Sequence, residues 1–381
     1  MKIYGFCAPG FEALQDAFAR NFRECGDTGA AFAVRQHDQL ICSLWAGSAD
    51  RNAECPFTED TIANVFSASK GVLALMALQQ VAAGKLDLDR PVADYWPEFT
   101  EGKATVTARQ LLCHRSGLVA FRKRVDDKVI YDWHAACKEV SRTEPWWPPG
   151  SQQGYAPFLY GWGLGGLIER VAQKPLTELY RESLANPLDL DGGFGANGHR
   201  SHRIADVAPL KQPLPELREN AIGRAIKEDR KGPVAMAFGN PVSLVMGTNS
   251  PEWRSALIPA ANGHFSARDL AAFYGDLAQK TPTTLSREWV SEASREQSCG
   301  HDKILQAEVR FGCGFILSGE AADLRFGGAR GFGHPGAGGS VGFADPERGL
   351  GLGYITTRLG QSLFMDRRAV GLVRALYGLL S

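Results

Sequence analysis

Ser67 and Lys70 stand three residues apart at the front of an apolar segment, FSASKGVLALMALQQ, and no other serine in the chain is followed by lysine at that spacing. On a helix the two side chains share a face one turn apart, so hydroxyl and amine can meet. That pairing suits nucleophilic catalysis. A serine hydroxyl is a weak nucleophile at neutral pH and needs a neighbouring base, and a lysine can serve once burial or nearby positive charge lowers its pKa. Val72, Leu73, Leu75, Met76 and Leu78 supply apolar surroundings. A helix N-terminus adds unpaired N–H groups and a positive dipole end, which favour developing negative charge. The ordinary alternative is a serine that caps a helix and a lysine that snorkels to solvent.

Two further stretches carry groups that could complete such a site. Tyr155 follows the loop Pro148, Pro149, Gly150 and precedes an apolar helical run, and His334 precedes a segment of small residues that leads into a strand. Each alone also fits a buried structural role. Two competing nucleophiles can be named. Cys113 beside His114 is an adjacent thiol and imidazole, but a catalytic cysteine needs its histidine in space, not merely in sequence. Ser340 in GGSVG fits a nucleophile elbow, yet that motif works where a strand turns into a helix, and Ser340 leads into the strand-like SVGFAD. The run GAGGSVG lacks the spacing and the strand-to-helix setting of a phosphate-binding loop.

With these residues the chain resembles the serine β-lactamase and penicillin-binding-protein superfamily, particularly class C β-lactamases, DD-carboxypeptidases and, above all, family VIII carboxylesterases. The stretches LQQVAAGKLDLDRPVADYWPEF, ARQLLCHRSGL and IPAANGHFSARDLAAFYGDLA are similar to segments of such esterases, so the likeness spans nearly the whole length. The resemblance implies a β-lactamase-like or DD-peptidase-like fold, Ser67 as nucleophile, Lys70 and Tyr155 as its proton-handling partners, and HPG, His334 to Gly336, in the place of the KTG or HxG motif. It further implies an oxyanion hole made by the backbone N–H groups of Ser67 and Ala337, each donor of that kind being worth about 2.7–4 kcal/mol of transition-state stabilisation. His334 and Gly336 would then orient Tyr155 or contact substrate. Which of Lys70 and Tyr155 is the base stays open, because two coupled groups titrate as a pair.

Three departures bear on the substrate. Pro157 stands where the β-lactamase pattern has a YxN asparagine, His334 replaces the KTG lysine, and Pro335 its threonine. A neutral imidazole offers a substrate carboxylate no permanent positive partner, and proline contributes neither side-chain nor backbone donor. These changes favour neutral esters. The expected activity is a serine carboxylesterase acting on short-chain esters through an acyl-enzyme, with Trp146 and Trp147, shortly before Tyr155, as walls of the acyl or alcohol pocket. The alternatives are β-lactamase or D-amino-acid peptidase activity at the same site, or a non-catalytic relative that binds a ligand. No metal or organic cofactor is implied, since the chain supplies every proton and charge partner.

The elements that must position these residues follow from periodicity. Phe11, Leu14, Phe18 and Phe22 mark an amphipathic helix ending near Gly26. AAFAVRQ and LICSLWAG read as a hairpin turning at His37 to Gln39, and GSVGFADPERGLGLGYITTRL as a second hairpin turning at Asp345 to Arg348. A terminal helix carries Leu363, Val370, Val373 and Leu376 near one face. The expected class is therefore α+β: an antiparallel sheet formed by both chain ends and flanked by helices, with a largely helical insertion. Approximate boundaries are 1–66 and 309–381 for the sheet region and 67–308 for the helical one, with the site between them. The stretch from Gln212 to Val242 shows little periodicity.

Composition narrows the partners. Across 381 residues, Lys plus Arg and Asp plus Glu both number 42, so no basic field gathers nucleic acid or anionic lipid. A small-molecule ester is the expected partner. The N-terminus has no apolar run long enough for a signal peptide, no segment reaches the length of a membrane span, and eight scattered cysteines form no CxxC pair. The expected location is the cytoplasm, with the cysteines as free thiols.

Overall fold

Along β2 (Gly29–Gln36), Ala30, Phe32 and Val34 enter one core cluster while Ala31 and Ala33 enter another. This two-residue alternation is what a strand buried on both faces requires. The computed structural model describes residues 1–196, 198, 203–215, 217 and 220–380. β2 pairs with β3 (Gln39–Gly47) as the expected hairpin, and β1 (Ile3–Cys7) pairs with the far side of β3. The remaining strands of the large sheet come late in the chain: β4 (Ser298–Asp302), β5 (Ala307–Phe311), β6 (Ile316–Leu317), β7 (Phe332–Pro335), β8 (Val341–Asp345) and β9 (Leu350–Thr356). The nine strands are antiparallel in the order β1-β3-β2-β9-β8-β7-β6-β5-β4. β9 joins the two chain ends, with Leu350 opposite Gln36 and Thr356 opposite Ala30.

The fold is α+β, with both ends of the chain in one antiparallel sheet. Two details differ from the expectation. β1 reads poorly as a strand because it is an edge whose central residues are exposed, so no core face imposes alternation. The second sheet-forming segment begins at Ser298 rather than 309, and the expected boundary cuts the β4–β5 hairpin. SCGHD and AEVRF are five-residue strands, too short and too polar to stand out.

Helices cover both faces. α1 (Ala13–Glu24) and the terminal α6 (Arg367–Leu379) pack together on one. Their Leu14, Phe18, Leu372 and Leu376 share a cluster with Phe32 and Leu352. On the other face α5 (Ala267–Ala278) crosses β2, β8 and β9. The approach is close: a Cβ on Gly353 would stand 2.2 Å from the Ala267 carbonyl oxygen, so only glycine fits there.

α2 (Ser69–Ala82) is buried on nearly every side, as an all-round apolar helix must be. It packs against α4 (Leu159–Ala172). α3 (Ala108–Leu112) starts from a capping box between Thr107 and Gln110, and α5 from one between Ser266 and Asp269. Each such cap contributes about 0.5–2 kcal/mol and fixes where its helix begins. Within the helical region a small sheet joins residues 63–64 and 193–194 to 263–265. It delivers the chain to Ser67. No helix among the described residues is long and apolar enough to cross a membrane.

Candidate active site

The local path through Ser67 is a tight turn, not the first turn of α2. Phe66 adopts φ 47°, a left-handed conformation that costs a non-glycine residue about 1–2 kcal/mol. Three contacts hold it there. The Phe66 N–H donates to Asn64 Oδ1 at 3.0 Å, the Ser69 hydroxyl donates to the Phe66 carbonyl, and Ser69 Oγ accepts the Gly263 N–H at 3.0 Å. The turn projects Ser67 from between sheet and helix into a cleft, and Lys70 follows inside α2.

Lys70 is fully buried, and its Nζ lies 2.8 Å from the Pro157 carbonyl oxygen, 2.9 Å from that of Ala260 and 3.2 Å from Ser67 Oγ. Burial holds its pKa well below the ordinary lysine value. As an ammonium, Nζ has three N–H donors and can donate to Ser67 Oγ as well as to the two carbonyls. Once deprotonated it has two donors for those carbonyls and a lone pair left to take the Ser67 hydroxyl proton. The Pro157 substitution thus leaves the lysine's anchor intact, because the anchor is a backbone carbonyl that any residue supplies.

Tyr155 hydrogen bonds to Ser67, and burial raises its pKa above the usual phenol value, keeping it protonated. Its ring lies 4.8 Å from Lys70 Nζ and 5.9 Å from the His334 ring. The loop bearing it is fixed at successive residues. The Gly154 N–H donates to the His114 carbonyl at 2.9 Å, the Tyr155 N–H to Asp302 Oδ1 at 3.1 Å, and the Ala156 N–H to His114 Nδ1 at 3.2 Å. The His114 ring itself packs 4.7 Å from that of Tyr155.

His334 sits in β7 with its Nδ1 2.7 Å from the Pro335 carbonyl oxygen. A carbonyl only accepts, so Nδ1 carries the hydrogen and Nε2 keeps a lone pair. Burial, reinforced by Lys70, pushes its pKa down to about 3, and the ring is neutral. Gly336 brings the end of β7 against the turn that carries Ser67, since a Cβ there would lie 2.1 Å from the Val65 carbonyl oxygen. Ala337 follows at the cleft surface.

The cleft is narrow, with a cavity volume of about 90 Å³ at its floor, and it opens to solvent at its mouth. Ser67, Tyr155 and His334 are its only polar linings among the described residues. The rest is apolar, including Phe66, Phe158, Phe238, Leu244, Leu305 and Phe364. A neighbouring hollow shares Phe238, Leu305, Leu363 and Phe364 as a common wall. Phe238 and Leu244 come from the short helices Pro233–Gly239 and Ser243–Met246, the first inside and the second just beyond the stretch whose sequence shows little periodicity.

The structure therefore brings Ser67, Lys70, Tyr155, His334, Gly336 and Ala337 together. Trp146 and Trp147, expected as pocket walls, do not line the cleft. Trp146 donates to the Ala120 carbonyl at 3.0 Å, and Trp147 lies behind the Tyr155 loop, where a Cβ on Gly154 would meet its ring at 2.3 Å. They back the loop because a glycine lets the indole close onto it. Cys113 is buried with its thiol pushed up to about 11, and His114 Nδ1 is taken by Ala156, so that pair is not activated. Ser340 is buried ahead of β8, its carbonyl accepting the Gly336 N–H at 2.6 Å. Asp302 and His114 carry no local signal beyond the ARQLLCHRSGL stretch that contains the histidine.

A family model described as Beta-lactamase matches residues 18–375. The esterase/beta-lactamase LipL of Mycobacterium tuberculosis is 32% identical over 389 residues, covering 97% of this chain and 86% of that protein. Among solved structures, a family VIII carboxylesterase superposes with a TM-score of 0.90 at 32% identity, covering 100% of both chains. A penicillin-binding-protein homologue from Caulobacter crescentus gives 0.89 at 34% identity, again over 100% of both.

Proposed function

The chain belongs to the beta-lactamase family of serine hydrolases, and from that premise we propose that it is a carboxylesterase cleaving neutral, short-chain esters through an acyl-enzyme on Ser67. The observation that carries this reading is the cleft around Ser67, which has apolar walls, no charged lining residue among those described, and a neutral histidine in place of a lysine. A substrate carboxylate would enter without a cationic partner, at the full cost of losing its water. A neutral acyl group gains from the same walls.

In the first half-reaction the Ser67 hydroxyl gives its proton to the Lys70 lone pair as Oγ bonds to the ester carbonyl carbon. The oxyanion is held by the N–H groups of Ser67 and Ala337. Collapse expels the alcohol, which takes a proton from Tyr155, and the proton on Lys70 restores the phenol. Water then attacks the acyl-enzyme with the same groups in the same roles and releases the acid.

The test is an ester panel run alongside Ser67→Ala. Turnover of p-nitrophenyl acetate and butyrate should far exceed that of the palmitate, because four phenylalanine rings close the cleft around a short acyl group. Ser67→Ala should fold and lose all hydrolysis, and a fluorophosphonate probe should label the parent enzyme at Ser67. Preference for the palmitate, or nitrocefin turnover matching the simple esters, would overturn the substrate assignment. Absence of labelling would point to a non-catalytic binding protein.

A further inference from the structure

Asp302 ends β4, and one of its oxygens gathers three backbone donors: the Tyr155 N–H at 3.1 Å, the Ile304 N–H at 2.9 Å and the Leu305 N–H at 2.8 Å. The first belongs to the phenol that bonds Ser67, and the last to a residue of the cleft wall. A second tie runs beside it, from the Lys303 N–H to the Gln153 carbonyl at 3.0 Å, and the Gln153 amide reaches the Val309 carbonyl at 3.2 Å. The β4–β5 hairpin and the Tyr155 loop are thus joined through this carboxylate.

We propose that Asp302 is a positioning residue of the active site, fixing the Tyr155 phenol against Ser67 and, through Leu305, the wall that faces the substrate. The inference rests on the proposed role of Tyr155 as proton donor to the departing alcohol. Among the described residues Asp302 has no ion-pair partner, and a buried carboxylate of that kind is a poor source of stability. Among the described residues, the groups that bear most on its ionisation are the backbone N–H donors of Leu305, Tyr155 and Ile304 and the Gln153 side chain, and burial holds its pKa above the usual carboxylate range. What it supplies is geometry. Donors converge on a single oxygen, so displacing that oxygen releases the tyrosine and the wall together. Lys70, His114, Tyr160 and His334 also lie close to Tyr155 or to the groups around it, but among the described residues only Asp302 holds its backbone N–H.

Leaving-group dependence separates this role from simple loss of stability. An aryl alcohol departs without a proton, whereas an alkyl alcohol needs one from Tyr155. Asp302→Ala should lower kcat/KM on an ethyl ester by about 10²-fold, the scale of a misplaced catalytic group, while p-nitrophenyl butyrate loses less than about tenfold. It should also blur the discrimination between short and longer acyl chains as Leu305 loosens. Asp302→Asn keeps an oxygen acceptor and should recover most of the ethyl-ester activity. Should Asp302→Ala not fold, Asp302→Glu takes its place, since it keeps the charge and displaces the oxygen by one methylene. Equal losses on both esters, or no loss on the ethyl ester, would overturn the proposal. Ser67→Ala run in parallel identifies a failure of the underlying reading, because hydrolysis surviving there would remove Tyr155 from the chemistry altogether.

Discussion

At the scale of single residues, the proposed chemistry turns on an amine whose pKa burial holds well below the ordinary lysine value. Lys70 Nζ bonds two carbonyls and its side chain is fully buried, so its basicity is available only above its depressed pKa. The rate should therefore be lost as pH falls through that value and be fully present above it. Lys70→Ala should lower kcat by about 10²–10⁴-fold, the usual contribution of a positioned base, and abolish the acid limb of the profile. His334 is the control: its ring should stay neutral until pH approaches about 3, read as flat imidazole NMR shifts across the working range. An ordinary titration near about 6.5 would show that the site is wetter than its geometry implies. Ser67 and Lys70 are legible in the sequence because their partnership is three residues long. Asp302 is not, because its bond to Tyr155 spans 147 positions and aspartates at strand ends are common turn residues. The tryptophans mislead for the converse reason: nearness in sequence to Tyr155 places them at its loop, but on the side away from the cleft.

Among the elements, the contact between the end of β7 and the turn before α2 decides whether nucleophile and opposite wall meet. Gly336 is its pivot. Gly336→Ala would set a methyl 2.1 Å from the Val65 carbonyl oxygen, and relieving that clash must pull β7 away from Ser67. The expected result is a loss of about 1–3 kcal/mol in denaturant stability and a fall in kcat of about 10²-fold. Unchanged kcat in a folded variant would place the second oxyanion donor elsewhere. The two terminal hairpins, the helix at the N-terminus and the apolar helical run after Tyr155 are legible because buried faces impose a period on them. β1, β4, β5 and the small sheet at 63–64, 193–194 and 263–265 leave little trace, being edges or only two to five residues long.

Across the whole molecule, a buried charge network ties the last helix to the first strand pair. Arg368, fully buried, bonds Asp27 and Asp366 at 2.6 Å each and donates to the Gly338 and Arg358 carbonyls at 2.6 Å. Tyr354 and Thr356 complete the cover of Asp27 at 2.5 and 2.7 Å. Arg368→Met leaves two carboxylates without their cation and should cost about 3–5 kcal/mol, a large share of the roughly 5–15 kcal/mol that holds a domain together. Urea unfolding measures it, and the loss should barely change with added salt, because buried pairs are poorly screened. A cost under about 1 kcal/mol would mean that the pair behaves as though exposed. The pairing of residue 36 with residue 350 has one more result, in time rather than space. As the ribosome makes this chain, the serine and its amine emerge early, while the histidine strand and its glycine turn arrive only with the final portion. A nascent chain carries Ser67 with nothing opposite it until the last strands have been made and close the sheet.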